Sequence, residues 1–152
     1  AAFVMFSDVE VTVAAAAELL KKCPDFDMII TAESKGIPLA YEMARQSGKT
    51  YVVARKSVKL YMTNPISVKV KSITTSNEQV LYLAEEKAEM LKGKRVLIVD
   101  DVISTGESLT ALEKLTEAAN GNIVAEAAVL AEGDAADRDD IIFLEKLPLF
   151  FK

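Results

Sequence analysis

The run Val96-Leu97-Ile98-Val99-Asp100-Asp101-Val102-Ile103-Ser104-Thr105-Gly106-Glu107-Ser108 sets the architecture of this 152-residue chain. Arg95 through Val99 is its most strongly apolar strand, which predicts a central position in a parallel sheet. Two carboxylates, Asp100 and Asp101, are then expected at the strand's C-terminal end, where open α/β sheets place ligands in the crevice beside the strand ends. Ser104-Thr105-Gly106-Glu107-Ser108 follows with hydroxyls able to bind phosphate oxygens, a glycine where the backbone turns tightly, and a helix start. The free N–H groups of a helix start favour an anion by up to ~2 kcal/mol. Taken alone, an Asp-Asp pair caps a turn and solvates a strand end as readily as it binds a ligand. Joined to a phosphate cradle, it points to a ligand with a phosphate at one end and vicinal hydroxyls nearby, the shape of a ribose 5-phosphate. Because the carboxylates are expected at a strand end and not in the core, replacing them is expected to leave the fold intact.

Downstream, Gly106 opens a helix whose Leu109, Leu112, Leu115 and Ala118 follow helical spacing, and Ile123 to Ala131 reads as a second buried strand. Ile141-Ile142-Phe143-Leu144 is the last strand. Upstream, Thr12 is expected to cap a helix through about Lys22, and Asp27-Met28-Ile29-Ile30-Thr31 suits a buried strand. Glu33-Ser34-Lys35-Gly36 turns into a helix with Pro38 in its first turn, ending near Ser47-Gly48. Tyr51-Val52-Val53-Ala54 then completes a right-handed crossover between parallel strands. The stretch from Arg55 to Pro65 has no hydrophobic period and reads as a loop. Ser67 to Thr74 and Gln79 to Leu83 alternate polar and apolar around a Ser76-Asn77 turn, an antiparallel hairpin with one wet face. A short helix up to Leu91 and a turn at Lys92-Gly93-Lys94 lead back to the central strand. The expected fold is therefore α/β in three layers: a mostly parallel central sheet, helices on both faces and an inserted antiparallel hairpin, in one domain over residues 1–152.

Composition narrows the chemistry. The formal charge is −5 with no histidine, and the sequence pI is near 4.9, so the field of the chain repels nucleic acid. Without histidine and with Cys23 as the single cysteine, a disulfide, a Cys/His zinc site and a histidine base are excluded within one chain. Cys23 is expected as a core thiol. Ala1-Ala2-Phe3-Val4-Met5-Phe6 lacks the basic flank and length of a signal segment, and no run reaches roughly 18 apolar residues. No membrane partner is expected, and a reducing cytoplasm is the expected compartment. No initiator methionine precedes Ala1, which leaves open whether the chain is a trimmed piece lacking its native beginning.

With these elements in place, Val96 to Ser108 resembles the signature of type I phosphoribosyltransferases: a hydrophobic run, two acidic residues, two more residues, a small residue, Thr-Gly and a hydroxyl residue. The resemblance implies that Asp100 and Asp101 hold the ribose hydroxyls of phosphoribosyl pyrophosphate (PRPP) as the catalytic pair. Ser104, Thr105, Gly106, Glu107 and Ser108 would hold its 5-phosphate, and Val102 and Ile103 are candidates for the base side. Ala32-Glu33-Ser34-Lys35-Gly36 is similar to the family's pyrophosphate loop, although such a turn alone is an ordinary strand-to-helix connection. Arg55-Lys56-Ser57-Val58-Lys59 resembles the purine branch, where a basic cluster precedes a mobile loop over the active site, here at about 55–83. Basic loop residues alone are usually just solvated. Within the family, Arg55, Lys56 and Lys59 would contact pyrophosphate, Lys56 and Lys59 across a homodimer. The resemblance runs from about Asp27 to Ala131 and is closest to the adenine and xanthine enzymes.

That family transfers the phosphoribosyl group of PRPP to a base with release of pyrophosphate, and carries Mg2+ on substrate oxygens and not in a dedicated protein site. Ser104 stands where hypoxanthine and guanine enzymes carry an acidic residue, and Thr74 stands near the place of a Glu in adenine enzymes, with Glu78 close by. Adenine is the first choice of acceptor and xanthine the alternative. Pro148-Leu149-Phe150-Phe151 could stack on a purine or pack on the core or a second subunit. A non-catalytic PRPP-binding regulator is a further alternative. A phosphoacceptor signalling domain, which also places paired acids after a strand, fails because too little chain follows Asp101.

Overall fold

The structure, a computed structural model, describes residues 8–58, 62, 64–71, 78–103, 106–132 and 140–147. In chain order the elements are α1 (Val9–Lys22), β1 (Met28–Ala32), α2 (Ile37–Ser47), β2 (Thr50–Ala54), β3 (Ile66–Lys71), β4 (Glu78–Leu83), α3 (Glu85–Leu91), β5 (Arg95–Ile103), α4 (Glu107–Ala118), β6 (Asn122–Glu132) and β7 (Ile142–Leu147). Five strands form one sheet in the order β2-β1-β5-β6-β7, parallel at every seam, while β3 and β4 pair antiparallel by themselves. The expected three-layer arrangement is present, with β5 at its centre.

The unbroken apolar runs explain the layers, because successive residues of a strand face opposite sides of the sheet. Met28 and Ile30 of β1 and Val96 and Ile98 of β5 pack with Leu109, Leu112 and Leu115 of α4 and with Val70, Leu81 and Leu83 of the hairpin. Ile29, Leu97 and Val99 belong to the other core, with Ala16 and Leu19 of α1 and Leu39 and Met43 of α2. The hairpin is therefore part of a core at its base. Its Tyr82 also exchanges backbone hydrogen bonds of 2.9 and 2.8 Å with Arg55, just beyond β2. Its expected turn at Ser76-Asn77 lies outside the described residues.

Local expectations hold at α2, which has Pro38 in its first turn and closes on Gly48 at φ 72°, a left-handed cap that suits glycine. Three others need correction. Asp8, not Thr12, caps α1: Asp8 Oδ1 accepts from Val11 N at 3.0 Å, and Thr12 lies inside the helix with its Oγ1 donating to Asp8 O. Aspartate is the stronger cap of the two. In α4, Ala118 is exposed while Ala111 and Ala119 are buried, because a strict three-residue spacing drifts around a 3.6-residue helix. Most consequentially, β5 does not stop at Val99. It pairs with β6 through Asp100↔Ala128, Val102↔Leu130 and Ile103↔Ala131, so the acidic pair lies within the strand and not at its end.

The seam between β1 and β5 is short, running from Met28↔Val96 to Ile30↔Ile98. Below it, Asp27 accepts from Arg95 through both carboxylate oxygens, at 3.2 Å from Nε and 3.0 Å from a terminal guanidinium nitrogen, and from the Arg95 backbone N–H at 2.8 Å. These bonds hold the Asp27 carboxyl down to about 2. Above it, β1 parts from β5. The chain leaves β1 toward β2 on one side and leaves β5 toward β6 on the other, which makes this gap the topological switch point of the sheet.

Candidate functional site

A cleft of about 280 Å³ opens at this switch point, lined by Ala32, Glu33, Ser34, Lys35, Lys56, Asp100, Asp101, Val102 and Ser108. Three separately predicted segments thus meet: the acidic pair, the turn after β1 and the basic stretch after β2. A larger apolar depression of about 390 Å³, lined by Val9, Val13, Pro38, Tyr41 and others, contains none of the predicted site residues.

The acidic pair is shaped by its own backbone. Asp100 Oδ1 accepts from Asp101 N and Asp101 Oδ1 accepts from Val102 N, each at 2.8 Å. Burial pushes the Asp100 carboxyl up to about 8, reinforced by a hydrogen bond and the negative charge of Asp101 and opposed by the Asp101 backbone N–H and the charge of Lys56. Burial and a neighbouring negative charge both disfavour the charged form, so Asp100 is held toward its neutral state. Val102 is half-buried and lines the cleft, whereas Ile103 belongs to the core with Leu109 and Leu112.

Of the phosphate segment, Gly106 sits at φ 83°, a conformation suited to glycine, and delivers the chain into α4, whose early residue Ser108 reaches the cleft. Ser104 and Thr105 lie outside the described residues, as do Lys59 and Thr74. On the opposite wall, the Glu33–Ser34 peptide is cis. Gly36 caps α2 where space is tight: a Cβ there would stand 2.4 Å from Thr31 Oγ1 and 3.4 Å from Asp100 Oδ1.

Glu33 lines the cleft, with its carboxylate turned to the Arg55 guanidinium and the backbone N–H of Lys56. Its Oε1 accepts from Lys56 N at 2.8 Å and Arg55 Nε at 3.2 Å, and its own N–H donates to Ala54 O at 2.9 Å. A carboxylate repels an anion, so its contribution is to hold Arg55 and place Lys56. Glu33→Ala is expected to weaken magnesium pyrophosphate binding about tenfold, one charged hydrogen bond's worth, while Glu33→Gln, which keeps the acceptor oxygen, retains most of it. Titration calorimetry separates the two.

Thr31 is the residue the sequence did not single out. It is fully buried in β1 beneath Gly36, and its Oγ1 has no hydrogen-bond partner among the described residues. The available signal was a hydroxyl ending an aliphatic strand, Met28-Ile29-Ile30-Thr31.

Comparison with known proteins agrees with this geometry. A hypoxanthine/guanine phosphoribosyltransferase of Methanococcus voltae is 35% identical over 114 residues, which cover 75% of this chain and 57% of that protein. The purine biosynthesis transcriptional repressor PurR of Bacillus subtilis is 33% identical over 113 residues, covering 74% of this chain and 39% of the repressor. This chain thus spans about half or less of the length of these relatives. Among solved structures, adenine phosphoribosyltransferase from Thermoanaerobacter pseudethanolicus superposes with a TM-score of 0.79 at 26% identity, over 92% of this chain and 83% of that one. Residues 8–147 match the phosphoribosyl transferase domain, and the chain belongs to the phosphoribosyltransferase family.

Proposed function

We propose that this chain is a purine phosphoribosyltransferase that moves the 5-phosphoribosyl group of PRPP onto a purine, releasing pyrophosphate. The observation that carries this reading is the meeting of Asp100 and Asp101, the head of α4, the Glu33-to-Gly36 turn and Lys56 around one cleft. A purine ring nitrogen attacks the anomeric carbon, the bond to the pyrophosphate oxygen breaks with its electron pair leaving on pyrophosphate, and the purine's ring N–H proton passes to solvent. Positive charge develops on the sugar. The carboxylates lie on the ribose side to accept its hydroxyls and offset that charge, while Lys56, Lys35 and the turn's N–H groups face the leaving group. Magnesium enters with PRPP, on substrate oxygens.

Adenine is the first-choice acceptor. Hypoxanthine and guanine, which Ser104 disfavoured, return as serious candidates because the Methanococcus voltae relative is named for them; xanthine is the further alternative. The PurR relative supports a second reading, a domain that binds PRPP without turnover. Purified protein with magnesium, PRPP and each of adenine, hypoxanthine, guanine and xanthine is expected to release pyrophosphate with at least one base. PRPP binding with no release for any base would favour the regulator, and no PRPP binding would sink both readings.

A further inference from the structure

We infer that Thr31 is a positioning residue for Asp100: its hydroxyl donates to the ionised Asp100 carboxylate, directly or through one water, in the space beside Gly36. The inference rests on the PRPP reading above for its purpose, though not for its test.

Three observations converge. A buried hydroxyl without a partner costs stability, so its presence calls for a state in which it is satisfied. Thr31 is 0% exposed and its Oγ1 lacks a partner among the described residues. Second, Thr31 Oγ1 and Asp100 Oδ1 border the same small space, 2.4 and 3.4 Å from where a Gly36 Cβ would stand. Third, Asp100 is held toward its neutral form by burial and by Asp101. A ribose hydroxyl is best accepted by a carboxylate, so the site needs donors for Asp100 in its ionised form. The Asp101 N–H is one, at 2.8 Å, and Thr31 borders the same space beside Gly36 as that oxygen. The charged groups around Asp100 are Asp101 on its own strand, Lys56 beyond β2, and Glu33 and Lys35 of the turn before α2, which line the same cleft. Lys56 also favours the ionised form, and Thr31 supplements it from beneath the turn.

The test compares Thr31→Val, which keeps shape and removes the hydroxyl, with Thr31→Ser, which keeps the hydroxyl. The carbon-13 carboxyl shift of Asp100, followed by NMR through its titration in ligand-free protein, is expected to report a midpoint about one pH unit higher in Thr31→Val and near wild type in Thr31→Ser. PRPP affinity near neutral pH is expected to fall about tenfold in Thr31→Val alone, with its thermal midpoint at or above wild type. An unchanged Asp100 midpoint in Thr31→Val, or the same rise in both variants, overturns the assignment. Because the midpoint is read without PRPP, failure of wild type to bind PRPP counts against the proposed function and leaves this measurement decisive for Thr31.

Discussion

Asp100→Asn is expected to weaken PRPP binding about 100-fold and, in the same protein, to raise stability near pH 8. The first effect, read above pH 8 where Asp100 is ionised, follows from replacing a charged acceptor with a neutral amide that offers the ribose hydroxyls one oxygen; hydrogen bonds to charged groups contribute about 1.5–3 kcal/mol each, and a factor of ten corresponds to about 1.4 kcal/mol. The second follows from linkage. Asp100 holds its proton to about 8 in the folded chain, against an ordinary value of 3.8. Between those values the folded state binds more protons than the unfolded one, so stability falls as pH rises through the window and levels off above it. Asparagine does not titrate and carries no such cost. The gap between variant and wild-type thermal midpoints should therefore widen in the variant's favour from pH 4 to pH 8. A gap that stays flat with pH would show that Asp100 ionises normally, and unchanged PRPP affinity would refute its ribose role.

Gly36→Ala is expected to damage fold and site together. The backbone at Gly36, φ −80° and ψ −10°, suits alanine, so the obstacle is space alone. A Cβ would lie 2.4 Å from Thr31 Oγ1, a short and fully buried side chain with little room to retreat. Overpacking of this kind costs about 1–3 kcal/mol, or roughly 5 °C in a domain of this size. PRPP affinity should fall as well, because the turn that carries Ser34 and Lys35 must shift away from Asp100. Combining Thr31→Ala with Gly36→Ala removes the collision and is expected to recover most of the lost thermal midpoint. It should not recover affinity, since the space beside Asp100 is then filled and the hydroxyl gone. Independent, additive losses in calorimetry would contradict the collision.

Much of the fold was legible because apolar runs and their punctuation are local signals. Pro38 and Gly48 bracket α2, and the uninterrupted Arg95 to Val99 run pointed to a central strand. What escaped depends on partners remote in sequence. Asp100-Asp101 interrupts the apolar run, since aspartate is depleted in strands; β6 extends to Glu132 and supplies the pairing that carries β5 past its carboxylates to Val102 and Ile103. Glu33 falls by sequence in a turn expected to bind an anion, and only the Arg55 guanidinium and the Lys56 backbone N–H, brought over by β2, show what its carboxylate holds. Thr31 gave little sign of interest until Gly36 was found above it. Ile103, adjacent in sequence to the cleft residue Val102, faces the core by strand alternation.

The brief seam joining β1 to β5 has a mechanical consequence. The resistance of a sheet to opening grows with the hydrogen bonds across the line of opening, and here they end at Ile30. The lower edge is fastened by the Asp27–Arg95 pair. A line held at one end and free at the other behaves as a hinge pinned at its base, so the least costly distortion of the sheet is a wedge that widens upward, between the turn before α2 and the carboxylates of β5. Compliance is thus concentrated at the mouth of the cleft.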